Sequence, residues 1–543
     1  MFAGHPTPGA GFDAVVIGSG FGGCMAALEL VEAGWRVLML ERGGWVERGP
    51  HNWQGDGAFV RTPFYAADAA YDVHTGAGKP AVEKLCTCVG GPSVFYGGAS
   101  FRFRELDFAA NPVIVGDSGA RWPFGYDDLE GFYARAERLL GVAGEAGADP
   151  TEPPRSTPYP QAPRGLSAAS RMIGRAAESL GLRPFPIPLA INAAEDQGGV
   201  CQACTTCDTF ACAVSAKNDL AVRLIPKLVA GGMVLRPGTV VTRLVASSGR
   251  VTGVECVDKA TGERQTVSGG VVIVAAGALA TPHLLLASGL ERLNPAGHAV
   301  GRYLMRHCNA MTFGFFARQP NAERVHHKQL AIHDFYFGAT DPGAPAGKLG
   351  NMQQIMGPQA ALIGHVLPKA FAWLAKVAEI PASRLTGILS IAEDQPRPEN
   401  RVRLDDERTD EYGVPRMVVE HRYTPRDLAA RSFMIRKAKQ ILRRAGALFC
   451  VNWDVSTFSH AVGTVRMGDD ETQAPLDAAC RYRGLENLYV TDGSVFPTSA
   501  GVNPSLTIAA NALRVGRLIA RGAASSAGAV AVGSDADAVG GVG

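Results

Sequence analysis

Apolar and polar positions fall along this chain in blocks of distinct period. Val15-Val16-Ile17 is a short apolar run bounded by glycine, which reads as a buried strand. From about Phe21 to Ala33 apolar residues recur at helical spacing, and Val37-Leu38-Met39-Leu40 is a second apolar run, closed by Glu41. A second block extends from about Leu220 to Arg306. Within it, Val234 to Pro237, Val240 to Val245 and Val251 to Val257 predict strands, with turns at Gly249-Arg250 and Thr261-Gly262, together a small antiparallel meander. Val271 to Ala278 is a fully apolar strand running into a small-residue turn, after which Thr281-Pro282 opens a helix through Ser288-Gly289. From about Asn309 to Asp454 the texture changes to longer loops. Here Thr386–Ala392, Asn400–Leu404 and Arg416–His421 predict strands, and Arg426–Ala445 a helix. His460 to Ile519 returns to the glycine-rich style of the start.

This pattern predicts an α/β protein with a discontinuous Rossmann-type domain built from residues 10–110, 215–308 and 455–521. An α+β substrate-binding cap, residues 111–214 and 309–454, is expected as an insertion. Residues 522–543, mostly Ala, Gly, Ser and Val, read as a disordered tail.

The first block carries a chemical signature. Gly18-Ser19-Gly20-Phe21-Gly22-Gly23 lies between a strand and a helix, as a dinucleotide-binding turn requires. Gly18 permits the tight turn, Gly20 lets backbone approach a pyrophosphate, and Gly23 lets the helix pack close to the strand. The helix aims its amides and partial positive charge at the phosphates. Glu41, 23 residues after Gly18, is placed to accept the hydroxyls of an adenosine ribose.

Composition adds limits. With 543 residues the chain has room for two or more domains, and its 46% apolar and 19% charged content is that of an ordinary globular protein. A net charge of +2 gives no reason to expect nucleic acid or an anionic membrane as partner, and no apolar run reaches the ~18 residues of a membrane span. The fingerprint begins close to Met1 with no signal peptide or twin-arginine segment before it, so a cytoplasmic, reducing location is expected. The 11 cysteines are then thiols or metal ligands rather than disulfides.

Toward the carboxyl end, Ser459 to Gly468 places His460 in a glycine-flanked loop, and Asn487 to Val490 is a strand with Asp492 at its carboxyl end, where ligands of α/β sheets lie. In Gly501-Val502-Asn503-Pro504-Ser505, Asn503 is a good N-cap and Pro504 a favoured first helical residue.

Four blocks together carry a resemblance: Gly18 to Glu41, Val89 to Gly98, Gly277 to Leu290, and His460 to Asn503. Trp122-Pro123 through Tyr133 and Val300 to His307 add to it. The chain resembles the glucose–methanol–choline (GMC) oxidoreductases, FAD enzymes with a cap of the cholesterol-oxidase kind. The resemblance implies oxidation of an alcohol to an aldehyde or ketone by hydride transfer to flavin N5, with His460 as acid/base and Asn503 orienting the substrate oxygen. An alcohol proton is too weakly acidic to leave unaided, so a base with pKa near neutrality is needed. The helix after Asn503 would stabilise a reduced flavin through its dipole.

The cofactor residues implied are Gly18, Gly20, Phe21, Gly22, Gly23, Glu41 and Arg42 in the first block, then Gly90, Gly91, Ser93, Tyr96, Gly97 and Gly98 in the second. Val241, Ala276, Gly277, Asp492, Gly493, Asn503, Pro504 and Ser505 complete the set. Tyr96 stands where the family often has Asn. Between residues 75 and 300 the only histidines are His283 and His298, far from the loop, so FAD is expected to be held non-covalently. The implied partners are a small-molecule alcohol and oxygen or an external electron acceptor. A flavin-dependent lyase or cyclase, and an electron-transfer flavoprotein, are the alternatives; the His460/Asn503 pair argues against the second.

Cys201, Cys204, Cys207 and Cys212 form the run C-x2-C-x2-C-x4-C. It departs from the ferredoxin spacing by one residue and has Ala213 where proline would stand. An iron–sulfur cluster, as in some dehydrogenases of the family, a zinc site, and plain thiols or a disulfide are the three readings. Cys86 and Cys88 read as incidental core. Glu393 is a candidate second acid or base, with a strand-end carboxylate as the plainer reading. Ala360 to Val377 reads as a buried helix pair, with a channel gate as the alternative. His326, His327, His333 and His421 show no metal-like spacing.

Overall fold

The computed structural model describes residues 11–54, 69–76, 80–193, 199–204, 206–325, 327–357 and 382–533. Ala360 to Val377, His326 and residues 534–543 therefore lie outside the described residues.

The uniformly apolar runs form one sheet. β1 (Phe12–Ile17), α1 (Phe21–Glu32), β2 (Val37–Leu40), β3 (Val234–Arg236), β4 (Gly269–Val274), β5 (Leu488–Val490) and α2 (Ser505–Gly533) are its parts. The strand order is β5-β4-β1-β2-β3, and every neighbouring pair is parallel. Strands buried on both faces explain the unbroken apolar runs. α1 and α2 cover one face together, so closely that a Cβ on Gly516 would lie 2.7 Å from the Ala26 carbonyl oxygen. The meander forms as Thr239–Ser247, Arg250–Asp258 and Arg264–Val267, a separate antiparallel sheet, but the strand expected to open it at Val234 to Pro237 pairs instead in parallel with β2, as β3.

A six-stranded sheet stands over the carboxyl ends of this unit. Its order is Phe449–Asp454, Ala310–Phe315, Leu385–Ala392, Gly350–Met356, Leu330–Ile332 and Pro184–Pro186, antiparallel throughout. The helix Pro425–Arg444, opened by a capping box at Thr424 and Asp427, packs Phe433, Met434 and Ile441 against Met352, Ile388 and Ala392 on one face. Alternation along a strand sends Asn351 and Gln353 to the other face, toward Gly501 and Asn503. The strands expected at Asn400–Leu404 and Arg416–His421 form as Arg401–Thr409 and Pro415–Glu420, but in a different sheet, beside Ala70–His74 and Ala81–Lys84. Val418 pairs with Asp72 there, a contact across a sequence distance that no local pattern encodes.

α2 runs on past Gly522, where composition reads as tail, to Gly533. Alanine is the strongest helix former, and the stretch carries no proline to stop it.

Candidate active site

The β1–α1 turn is shaped by glycines with unequal room. A Cβ on Gly23 would lie 2.0 Å from the Gly18 carbonyl oxygen, and one on Gly22 2.6 Å from that of Thr491. Gly18 has φ +99° and presses on Ala275. Gly20 differs, since a Cβ there would meet nothing within 4 Å. No side chain caps α1, so its first amides, those of Phe21, Gly22 and Gly23, are left to a ligand in that open space. Glu41 braces the turn: its buried carboxylate accepts from Ser19 N at 3.0 Å, Ser19 Oγ at 2.6 Å and Gly43 N at 2.8 Å. Burial pushes its pKa up.

The second glycine loop closes over this turn. Gly90 N donates to Ser19 Oγ at 2.9 Å, and a Cβ on Gly91 would sit 3.1 Å from Gly20 Cα. Ser93 Oγ donates to Gly90 O and accepts from Leu220 N, which fixes the loop's shape. Tyr96 donates to Asn218 O at 3.0 Å, and its ring lies 5.7 Å from that of Phe21. Its hydroxyl is thus committed to backbone. Gly97 lies against Asp208 and Gly98 against Ile191.

Asp492 ties the end of β5 to the turn after β4, accepting from Gly277 N at 2.8 Å, from Ser494 N at 2.8 Å and from Thr281 Oγ1. Ala276 N donates to Thr281 Oγ1 in the same knot. Gly493 O accepts from Gly463 N, joining β5's end to the His460 loop. Val241 follows Thr239, whose N–H donates to Glu41 O at 2.8 Å, and the Arg42 guanidinium lies 5.5 Å above the Tyr412 ring. An open Gly20, uncapped α1 amides and three backbone-tight glycines around them suit the pyrophosphate of FAD.

The two residues expected to do chemistry come together. Asn503 Nδ2 and His460 Nε2 are 3.2 Å apart. The expected N-cap role of Asn503 is not what forms. α2 starts at Ser505, and Pro504 O accepts the N–H of Ile508. Asn503 Oδ1 instead accepts from Gln353 Nε2 at 2.6 Å, so the amide is held with its N–H groups toward His460. A cross-domain partner outcompetes the local cap, which Pro504 and Ser505 leave to backbone.

His460 is brought in by a short antiparallel contact, Met305 with Val462. That contact delivers His307, whose Nδ1 lies 3.0 Å from His460 Nδ1. Desolvation, with His307 and Lys328 nearby, holds His460 well below its ordinary pKa, against the pull of Asp208 and Asp394. Asp208 and Lys328 form an ion pair at 2.8 Å, with Lys328 9% and Asp208 41% exposed at the side chain. Both act on His460 electrostatically, Lys328 against its protonated form and Asp208 in favour of it. Sequence reasoning missed Gln353, Asp208 and Lys328, and saw His307 only as part of a resembling segment. Tertiary pairing, not spacing, makes them neighbours.

Glu393 is not at the site. It is buried in an ion pair with Lys348 at 3.1 Å, and Lys348 also holds Asp107 at 2.9 Å. His421 sits buried 3.8 Å from Asp394, and His333 bonds Asp149.

Cys201, Cys204, Cys207 and Cys212 line one small cavity with Lys217, yet all four are free thiols. Among the described residues, no group of three or more His, Cys, Asp or Glu is arranged to hold a metal ion. The iron–sulfur and zinc readings therefore find no support in the fold, and the disulfide reading none among these four. Burial raises Cys201 and pushes Cys207 up to about 12, so both remain protonated. The run is stitched to the 90–98 loop by Thr209 N donating to Phe95 O at 2.8 Å, and it carries Asp208 to its place. Cys88 is buried core, as expected.

Family profiles described as GMC oxidoreductase match residues 12–309 and 396–512, and the chain belongs to that family. It is thus an FAD-dependent enzyme acting on CH–OH groups. It is 33% identical to 6'''-hydroxyparomomycin C oxidase of Streptomyces lividus, over 94% of this chain and 91% of that protein. With paromamine 6'-oxidase of Streptomyces fradiae the identity is 31% over the same shares. With 2-methyl-1,2-propanediol dehydrogenase of Mycolicibacterium austroafricanum it is 27%, over 94% and 95%. Among solved structures, pyridoxine 4-oxidase from Mesorbium loti superposes with a TM-score of 0.64 at 19% identity, covering 93% and 99% of the two chains, a likeness of fold. Among the described residues no helix is long and apolar enough to cross a membrane.

Proposed function

We propose that this chain oxidises a polar, polyhydroxylated alcohol to its aldehyde or ketone, with His460 as acid/base and Asn503 holding the substrate oxygen. The observation that carries this is the convergence of His460 Nε2 and Asn503 Nδ2, 3.2 Å apart. An alcohol oxygen between them donates its proton to Nε2 and accepts from Nδ2, which turns the carbon-bound hydrogen away from both. The proton moves to His460 as the carbon–hydrogen electron pair departs, leaving a carbonyl. Bound FAD, held without a covalent link along the β1–α1 turn and the 90–98 loop, supplies the two-electron acceptor.

The Asp208–Lys328 ion pair, which acts electrostatically on His460, favours a substrate rich in hydroxyl or amino groups over a sterol or hydrocarbon, which would strip water from the half-exposed Asp208 carboxylate without replacing its hydrogen bonds. The names of the two relatives at 33% and 31% identity point the same way. In this reading the five-stranded sheet is the cofactor half and the six-stranded sheet roofs the substrate.

The test is anaerobic addition of an alcohol panel to the FAD-loaded protein: paromamine, glucose, 2-methyl-1,2-propanediol and cholesterol. Bleaching of the flavin bands by a sugar-like alcohol, lost by ~10²-fold or more in His460→Ala with FAD still bound, is the expected result. Near-normal bleaching in His460→Ala, or bleaching by cholesterol alone, overturns the base or the substrate class respectively.

A further inference from the structure

We propose that His307 is a positioning residue that fixes His460 in the tautomer carrying its proton on Nδ1, leaving Nε2 bare for the substrate proton. This rests on reading His460 as the base. The argument runs through hydrogen-bond partners. His307 Nε2 lies 3.1 Å from the Ser499 carbonyl oxygen and 3.0 Å from that of Ala500. Two acceptors require a donor, so Nε2 of His307 carries hydrogen. The opposite tautomer would aim a lone pair at two buried carbonyls and leave both without a donor. In a neutral ring Nδ1 of His307 is then an acceptor, and its partner at 3.0 Å, His460 Nδ1, must donate. The proton of His460 is thereby drawn to the side away from Asn503.

The backbone is set up for this arrangement. His307 has φ +62° and Ala500 has φ +54°, the left-handed region that strains a non-glycine residue. One carboxylate braces both sides. Asp394 accepts from Arg306 N at 2.8 Å, His307 N at 3.1 Å and Ser499 Oγ at 2.9 Å. The His307 carbonyl accepts from Tyr423 OH at 2.7 Å. The donor ring and the segment that receives it are thus anchored to the same buried group. This is the logic of a base oriented by a third residue, with a carbonyl pair and a second imidazole in the orienting place.

The charged and titratable groups facing the pair are Asp394 and His421 behind His307, Arg306 on its own segment, and Asp208 and Lys328 in front of His460.

The experiment uses FAD-loaded enzyme labelled with ¹⁵N-histidine. At neutral pH the wild type is expected to show His460 protonated at Nδ1 and bare at Nε2, the signal being assigned by its loss in His460→Ala. In His307→Leu, which keeps bulk but removes the acceptor, His460 becomes a mixture of tautomers. The plateau rate of anaerobic flavin reduction falls about 10-fold with little change in KM. His307→Asn, whose Oδ1 can still accept near the position of Nδ1, restores most of the rate. A wild-type spectrum with hydrogen on His460 Nε2 overturns the proposal, even if His307→Leu fails to fold. So does a His307→Leu enzyme with an unchanged plateau rate. Failure of the base itself is read separately, as flavin reduction surviving in His460→Ala.

Discussion

Gln353 donates to Asn503 Oδ1 at 2.6 Å, and that single contact decides which end of the asparagine amide meets the substrate. With Oδ1 taken, only N–H groups face His460. Gln353→Leu releases the amide to rotate and should slow flavin reduction about 10-fold, the loss of one orienting hydrogen bond. Gln353→Glu should be worse, because a carboxylate repels Oδ1 and draws Nδ2 away from the substrate. Stopped-flow reduction at matched FAD occupancy distinguishes the order; Glu faster than Leu would disprove this orientation.

Two glycine substitutions a few residues apart should fail differently. Gly23→Ala forces a Cβ to within 2.0 Å of the Gly18 carbonyl oxygen, so the chain should fold poorly or not at all. Gly20→Ala meets nothing within 4 Å in the protein and should keep the stability of the FAD-free chain while weakening FAD binding. Thermal melts with and without FAD measure both. A Gly20→Ala protein that binds FAD normally would remove the cradle from this place.

Acid should act on rate and stability through the buried histidines. His460, His307 and His421 are held below their ordinary value mainly by desolvation. The unfolded chain then binds more protons than the folded one just below that value, so stability rises with pH there and is lost as pH falls through about 6.5. The base-limited rate should keep its plateau to lower pH than an exposed histidine would allow. Melting temperature and flavin reduction followed from pH 8 to pH 5 test this. An acid limb centred above about 6.5 would contradict the desolvated base.

Glu393→Gln should leave the rate of flavin reduction near wild type, since the carboxylate is spoken for by Lys348. Lys348→Met should instead destabilise by about 3–5 kcal/mol, because Asp107 and Glu393 would be left buried without their shared cation. Denaturant unfolding gives the second result and stopped-flow the first. A large rate loss in Glu393→Gln would restore that residue to the mechanism.

Serine at Cys201, Cys204, Cys207 and Cys212 should preserve alcohol-dependent bleaching, with no stoichiometric iron in the wild type. Iron analysis on protein purified without oxygen checks this, and iron lost with the thiols would reverse the reading.

What the sequence conveyed was whatever local physics imposes. The parallel strands were legible because strands covered on both faces cannot alternate, and the β1–α1 turn because only glycine fits where backbone meets backbone. His460 and Asn503 were legible through resemblance. Gln353 and Lys328 were not, because each sits in an unremarkable polar position and acquires its neighbour from another part of the chain. The placement of Arg401–Thr409 escaped for a similar reason: its pattern predicts a strand, but not that the sheet continues through Pro415–Glu420 to Ala70–His74. Asn503 misled in the opposite way, since its local rule of capping was overridden.

β4 is flanked on one side by β1 and on the other by β5, the last strand to be made among the described residues. During synthesis, everything up to Glu486 can emerge while one border of that sheet still exposes unpaired amides and carbonyls. Cofactor loading is then a finishing event that waits on release of nearly the whole polypeptide. A ribosome stalled before Leu488 would hold a chain able to be captured by chaperones but unable to be coloured by flavin.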